Sequence, residues 1–169
     1  AQLYHAGRQA SEAITGLDPL APSAIPCGIL QNHPKEITHE QMDRIKEQFR
    51  QAARWSIEAG YDIVEVHFAH GYLLHSFMST HTNHRTDEYG GSFENRYRFP
   101  VEIVKAIKKA CGDDFPVSLR FSVLSKTKGF RSGALPNEEY IEAGRDMLEA
   151  EKPSKYLQDA GYDMLNCDN

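Results

Sequence analysis

The tetrapeptide Ala59-Gly60-Tyr61-Asp62 returns as Ala160-Gly161-Tyr162-Asp163, and Cys111-Gly112-Asp113-Asp114 stands between the two. Each junction has the same surroundings: a run with helical spacing before the glycine and a short apolar run after it. A glycine in that position stops a helix, and the residues that follow read as a tight αβ turn into a buried strand. Three matched junctions in register predict a βα repeat, with parallel strands and right-handed crossovers. About 50 residues separate successive junctions, against about 30 per unit in a plain (β/α)8 barrel. The excess lies after the strands, while the connections before them are short. Long βα loops over short αβ turns suit a barrel whose C-terminal face carries chemistry. The expected fold is therefore α/β, a partial (β/α)8 TIM barrel forming one domain over 1–169.

Four strands are expected: Gln2–His5, Tyr61–His67, Phe115–Phe121 and Tyr162–Cys167. Ala6 to Arg8 leaves the first as a turn, and the Pro-rich stretch from Gly16 to Pro34 reads as a long ordered loop. Thr38 with Gln41 forms a capping-box signature. Behind it Met42, Ile45, Phe49, Ala52, Ala53 and Ile57 give an amphipathic helix to about Ala59. A second helix follows Ser92, turning Phe93, Tyr97, Val101, Val104, Ile107 and Ala110 inward, with Gly112 as its stop. The loop from Ser125 to Leu135, with Lys126, Lys128, Gly129, Arg131 and Gly133, reads as exposed. Asn137 is expected to cap a third helix carrying Tyr140, Ile141, Met147 and Leu148 toward Ala160. Pro153 falls inside that pattern, and a proline in a helix interior costs about 3 kcal/mol. A break near Lys152 is therefore predicted.

Composition narrows the function. A net charge of −5 and no run of Lys/Arg speak against a nucleic-acid partner. No apolar stretch reaches the roughly 20 residues that span a bilayer. The N-terminus has no apolar signal core. Cys27, Cys111 and Cys167 are far apart and odd in number, which fits a reducing cytoplasm without a disulfide framework. The chain starts and stops in strand-like runs, so a segment of something longer is expected. Open strand edges make a homo-oligomer the expectation for such a segment on its own.

Polar residues gather at the ends of the expected strands: Gln2 and His5, then His67, His70 and Tyr72, then Arg120, then Asn166 and Asp168. Such groups on parallel strands converge on one face. His67 and His70 can each offer an N–H to one carbonyl oxygen and stabilise charge developing there. Tyr72 is placed to donate a proton. Arg120, always cationic, needs a carboxylate, a phosphate or an electron-rich ring as partner. A lone strand-end histidine is usually satisfied by the backbone; four such groups together outweigh that reading. A metal site among His5, His67, His70, His81 and His84 is set aside, because no Asp or Glu stands at ligand spacing beside the His67–His70 pair. In the loop from Arg85 to Ser92, Arg85 and Asp87 are expected to shape the turn, and Gly90 and Gly91 to supply positive φ.

The stretch HFAHGYLLHSF followed by NHRTDEYGGSFENRYRF resembles the signature of the old yellow enzyme family. QLYHAGR and FPVSLRFS resemble two further strand ends of that family. The tail GALPNEEYIEAGRDM, with AGYDMLNCDN, is similar to its branch of 2-enoate, dienoyl-CoA and bile-acid reductases. The resemblance implies an FMN-binding TIM barrel, of which this chain would cover roughly strands 3 to 6. It implies reduction of an activated C=C bond in an unsaturated acid, ketone or acyl-CoA, a small-molecule substrate, with electrons from NAD(P)H. Gln2 would then bond the flavin pyrimidine edge and Arg120 would lie by its N1/O2 side. His67 and His70 would hold the substrate carbonyl, Tyr72 would protonate the α-carbon, and hydride from flavin N5 would reach the β-carbon. The loops that grip the FMN phosphate, and the iron–sulfur cysteines of the multidomain branch, are expected outside this sequence. The rival expectation is a non-catalytic half-barrel or assembly module lacking the phosphate site.

Overall fold

The computed structural model describes residues 1–27, 30, 32–122, 126–129, 132–133, 139, 141–142 and 147–168. Strand β1 (Gln2–Leu3) leads through a 3-10 turn at Gly7–Gln9 into the short helix α1 (Glu12–Thr15). A small parallel pair, β2 (Leu20–Ala21) and β3 (Lys35–Glu36), precedes helix α2 (His39–Glu58). Then come β4 (Val64–Phe68), α3 (Leu73–Met78), α4 (Phe93–Cys111) and β5 (Val117–Ser122). The excursion β6 (Lys126–Gly129), β7 (Ser132–Gly133) and β8 (Ile141–Glu142) is antiparallel. Helix α5 (Met147–Ala160) and strand β9 (Met164–Asp168) complete the order.

The main sheet runs β1-β4-β5-β9 and every pair in it is parallel. Spatial order follows chain order, as the repeated junctions predict. Gly60, Gly112 and Gly161 all hold positive φ, at 86°, 100° and 121°, a region that favours glycine. The aspartate closing the last tetrapeptide has its own task. Asp163 Oδ2 accepts from the Val117 amide at 2.8 Å and from Lys108 Nζ at 2.7 Å. Lys108 also donates to the carbonyls of Asp113 and Phe115, so one ammonium ties two junctions together.

The two faces of the sheet differ in kind. Val64, Val66 and Phe68 of β4, with Val117, Leu119 and Phe121 of β5, are fully buried in the core they share with α2, α4 and α5. Their neighbours at alternate positions point to the other face, which carries Gln2, Glu65, Ser118, His67, Arg120 and Asn166.

Three local expectations need correction. In α2 the buried stripe is Met42, Ile45, Phe49, Ala53 and Ser56, while Ile57 is exposed. The 3.6-residue period selects position 56, and the Ser56 hydroxyl is satisfied by the Ala52 carbonyl at 2.9 Å. Helix α5 starts at Met147, and Ile141 belongs to β8; Arg131, Asn137 and Tyr140 lie outside the described residues. No break falls at Pro153, for α5 runs through it. Its ring is buried, and that packing offsets the lost hydrogen bond. Pro100 sits buried inside α4 in the same way, its carbonyl accepting from the Tyr162 hydroxyl at 3.2 Å.

Candidate active site

His67 lies on β4 in register with Arg120 on β5, and Arg120 is in register with Asn166 on β9. The strands thus set three polar residues side by side near their C-terminal ends. His67 is buried, with 4% of its surface exposed. Its Nδ1 accepts the Ala69 amide at 3.1 Å, which fixes the tautomer and leaves the proton on Nε2 as a donor.

Past the strand the chain turns sharply. His70 holds φ 59°, the one positive value among the described non-glycine residues, and Gly71 follows at 74°. A left-handed histidine is costly and is retained where its surroundings fix it. Here Gln9 Nε2 donates to the His70 carbonyl at 2.5 Å, and His75 Nδ1 accepts the Gly71 amide at 2.9 Å. The turn brings the His70 ring back to 5.2 Å from that of His67, edge to face. Tyr72 follows as the residue before α3, its side chain making no capping bond. Its ring centre is 5.0 Å from His67, again edge on, and 5.2 Å from Tyr4. His67, His70, Tyr72 and Tyr4 therefore form one aromatic corner, with Arg120 beside it. His5 sits below the turn: its Nδ1 accepts the Gly7 amide, its carbonyl accepts the Leu73 amide at 3.1 Å, and burial pushes its imidazole pKa down.

Gln2 is one layer lower, in register with Glu65. Its Nε2 donates to Glu65 Oε1 at 2.6 Å. Glu65 also accepts from Asn166 Nδ2 at 2.7 Å and from the Ser118 hydroxyl at 3.5 Å. Glu65 is the residue that sequence reasoning missed. The signal was its place two residues before His67, which the strand period puts on the same face.

The polar loop after α3 ties the neighbouring helices together. The buried Arg85 donates from Nε to both Asp87 oxygens at 3.0 Å, and from Nη1 to the Ile37 carbonyl at 2.8 Å. Arg96 donates to the Met78 and Gly91 carbonyls, tying α3 to α4. Tyr89 reaches Glu102 at 3.0 Å, and Lys46 of α2 holds the same carboxylate at 2.9 Å. Burial and then Glu102 push the Tyr89 phenol up to about 12. Gly91 has positive φ, 75°, as expected. Gly90 does not, and its role is space: an added Cβ would lie 2.0 Å from the Arg85 carbonyl oxygen.

Among the described residues, the convergent group of potential metal ligands is His39, Asp87 and Glu88, which is not drawn from the five histidines considered above. Asp87 there is already bound to Arg85. Hydrogen bonds from Arg85 hold the Asp87 carboxyl well below the usual carboxylate range. A depressed carboxylate stabilises the fold above its unfolded pKa of about 3.9 and loses that contribution as pH falls through the folded value. Asp87→Asn should therefore cost about 2 kcal/mol near neutrality. The gap from wild type should close as urea melts are repeated below about pH 4.

A parallel βα sheet with polar residues gathered at its strand ends is the arrangement of part of a (β/α)8 barrel. The profile of the NADH:flavin oxidoreductase / NADH oxidase family matches residues 1–161. The chain belongs to that family. Among curated proteins it is 43% identical over 166 residues to an NADH oxidase of Thermoanaerobacter brockii, covering 98% of this chain and 23% of that protein. It is 48% identical over 164 residues to a cinnamate reductase of Clostridium sporogenes, covering 96% and 25%. Against an NADPH dehydrogenase of Bacillus subtilis the figures are 39% identity, 98% and 44%. Morphinone reductase matches in structure with TM-score 0.78 and 31% identity, over 98% of this chain and 46% of that one. The old yellow enzyme homologue of Zymomonas mobilis gives 0.78, 25%, 99% and 46%. The chain thus spans from 23% to 46% of the length of these relatives, and its fold is the corresponding part of a TIM barrel. FMN and NAD(P)H are this family's cofactors, and morphinone reductase has been seen with tetrahydroNAD bound.

Proposed function

We propose that this chain forms the substrate-facing part of an FMN-dependent ene-reductase. It reduces the activated C=C bond of an unsaturated acid, ketone or acyl-CoA in the cytoplasm. The observation that carries the reading is the corner of His67, His70 and Tyr72 at the end of β4, with Arg120 in register beside it. The residues fit one edge of a flavin. Gln2 and Asn166 place exposed amides on the polar face, and Arg120 adds the fixed cation that an electron-rich ring edge requires. FMN, when bound there, supplies the hydride.

The chain's own residues supply the rest. His67 points an N–H donor from a fixed tautomer, and His70 sits close enough to share one carbonyl oxygen with it. Two donors on that oxygen stabilise the enolate-like charge that develops as the β-carbon is reduced. Tyr72, on the next turn, holds the proton for the α-carbon and has no competing capping bond. The cinnamate reductase and morphinone reductase relatives carry names that agree with such substrates.

Tyr72→Phe in the flavin-loaded protein that carries this chain is the test. Loss of a positioned general acid should lower kcat for an enone by about 10²-fold. Substrate binding should remain, because His67 and His70 are untouched. Unchanged kcat in this variant would remove Tyr72 from the reaction.

A further inference from the structure

Glu65 has no part in the chemistry described so far, yet it sits at the centre of the polar face. A carboxylate accepts hydrogen bonds and donates none. The two side-chain amides that meet it, Gln2 at 2.6 Å and Asn166 at 2.7 Å, must therefore both turn their NH2 groups toward it. The usual ambiguity between amide oxygen and nitrogen is removed by the chemistry of the partner. Glu65 lies on β4 and Asn166 on β9, with β5 between them. The residue of β5 in register with Glu65 is Ser118. Its small side chain leaves room for the carboxylate to reach across and adds a hydroxyl at 3.5 Å. One acidic group thus links side chains from all four strands of the sheet.

We infer that Glu65 is a positioning residue that sets the polarity of the cofactor edge by holding Gln2 and Asn166 with their carbonyl oxygens turned outward. This deepens the flavin reading given above and rests on it. With one N–H spent on Glu65, the outer edge of the Gln2 amide offers a carbonyl acceptor beside its second N–H. That pair complements the N–H and C=O of an imide, the donor–acceptor sequence on the pyrimidine edge of a flavin. Reversed, the amide would set a donor against the imide N–H and repel it.

The test uses the 15N-labelled apoprotein that carries this chain, with Glu65→Gln and Glu65→Ala, and with lumiflavin and 3-methyl-lumiflavin as probes. In wild type, the side-chain NH2 groups of Gln2 and Asn166 should exchange slowly with solvent. Both should lose that protection in Glu65→Ala. In the isosteric Glu65→Gln, one carboxylate oxygen becomes a donor, so one of the two amides should turn over and lose it. Lumiflavin should bind about ten-fold more weakly to Glu65→Ala, the worth of one charge-assisted hydrogen bond. Wild type should prefer lumiflavin to its 3-methyl analogue, and Glu65→Ala should not. Gln2→Leu, with Glu65 intact, should reproduce the flavin loss and leave Asn166 protected. Amide exchange indifferent to both Glu65 variants would overturn the positioning role. Equal binding of the two flavins by wild type would overturn the outward polarity. If wild type bound neither, the flavin reading would fall and the outward imide match with it, while amide exchange still decided what Glu65 holds.

Discussion

With His67 and His70 both replaced by alanine, the holoenzyme carrying this chain should lose about 10³-fold in kcat/KM for an enone. Each preorganised donor to a developing oxyanion contributes about 10² to 10³. In the proposed reaction the two act on one oxygen, so their losses combine to less than the product. Two features support such joint action. His67 is held in one tautomer by the Ala69 amide, and His70 is folded back to a ring distance of 5.2 Å by a left-handed turn. Electron delivery from NAD(P)H develops no charge on a carbonyl oxygen and should change far less. A double variant that kept normal enone turnover would show that the carbonyl is held elsewhere.

The second large effect is structural. Gly90→Ala should destabilise the protein by about 3 kcal/mol, read as a drop in the urea midpoint. An added Cβ would meet the Arg85 carbonyl oxygen at 2.0 Å and its carbon at 2.5 Å. Both are backbone atoms, and no rotamer change relieves the overlap. Arg85 cannot yield, because its guanidinium is bound to Asp87 and to the Ile37 carbonyl. The loop it anchors also ties α3 to α4 through Arg96, so the seat of Tyr72 should loosen with it. Gly91→Ala should be milder at the level of contacts, since a Cβ there meets nothing within 4 Å; its cost comes from positive φ alone. A Gly90 variant as stable as wild type would mean the loop packs differently.

Much of this was legible in the sequence. The three glycine junctions mark the order and parallel sense of the strands, because a helix stop and a buried strand leave few other solutions. The capping box of Thr38 and Gln41 is present with both bonds. The His67, His70, Tyr72 corner could be named because the strand period and a Gly turn bring those residues together. What escaped depends on packing and on partners that local composition does not name. Ser56 takes the place expected for Ile57 because the helical period puts it on the buried face, where its hydroxyl is satisfied by the Ala52 carbonyl. Pro153 stays helical because its ring is covered. Gly90 is required by the Arg85 backbone and not by its own φ. Glu65 reads as an ordinary charge on a strand until Gln2 and Asn166, 63 and 101 residues away, are seen to close on it.

The central claim is that this corner receives a substrate carbonyl during hydride transfer. Anaerobic mixing of the photoreduced holoenzyme with an enone, following the return of the oxidised flavin spectrum in a single turnover, tests it most directly. Wild type should reoxidise as fast as it turns over, and the His67→Ala/His70→Ala protein should do so about 10³-fold more slowly. Reoxidation by the enone at equal rates in the two proteins, or none in wild type, would contradict the account.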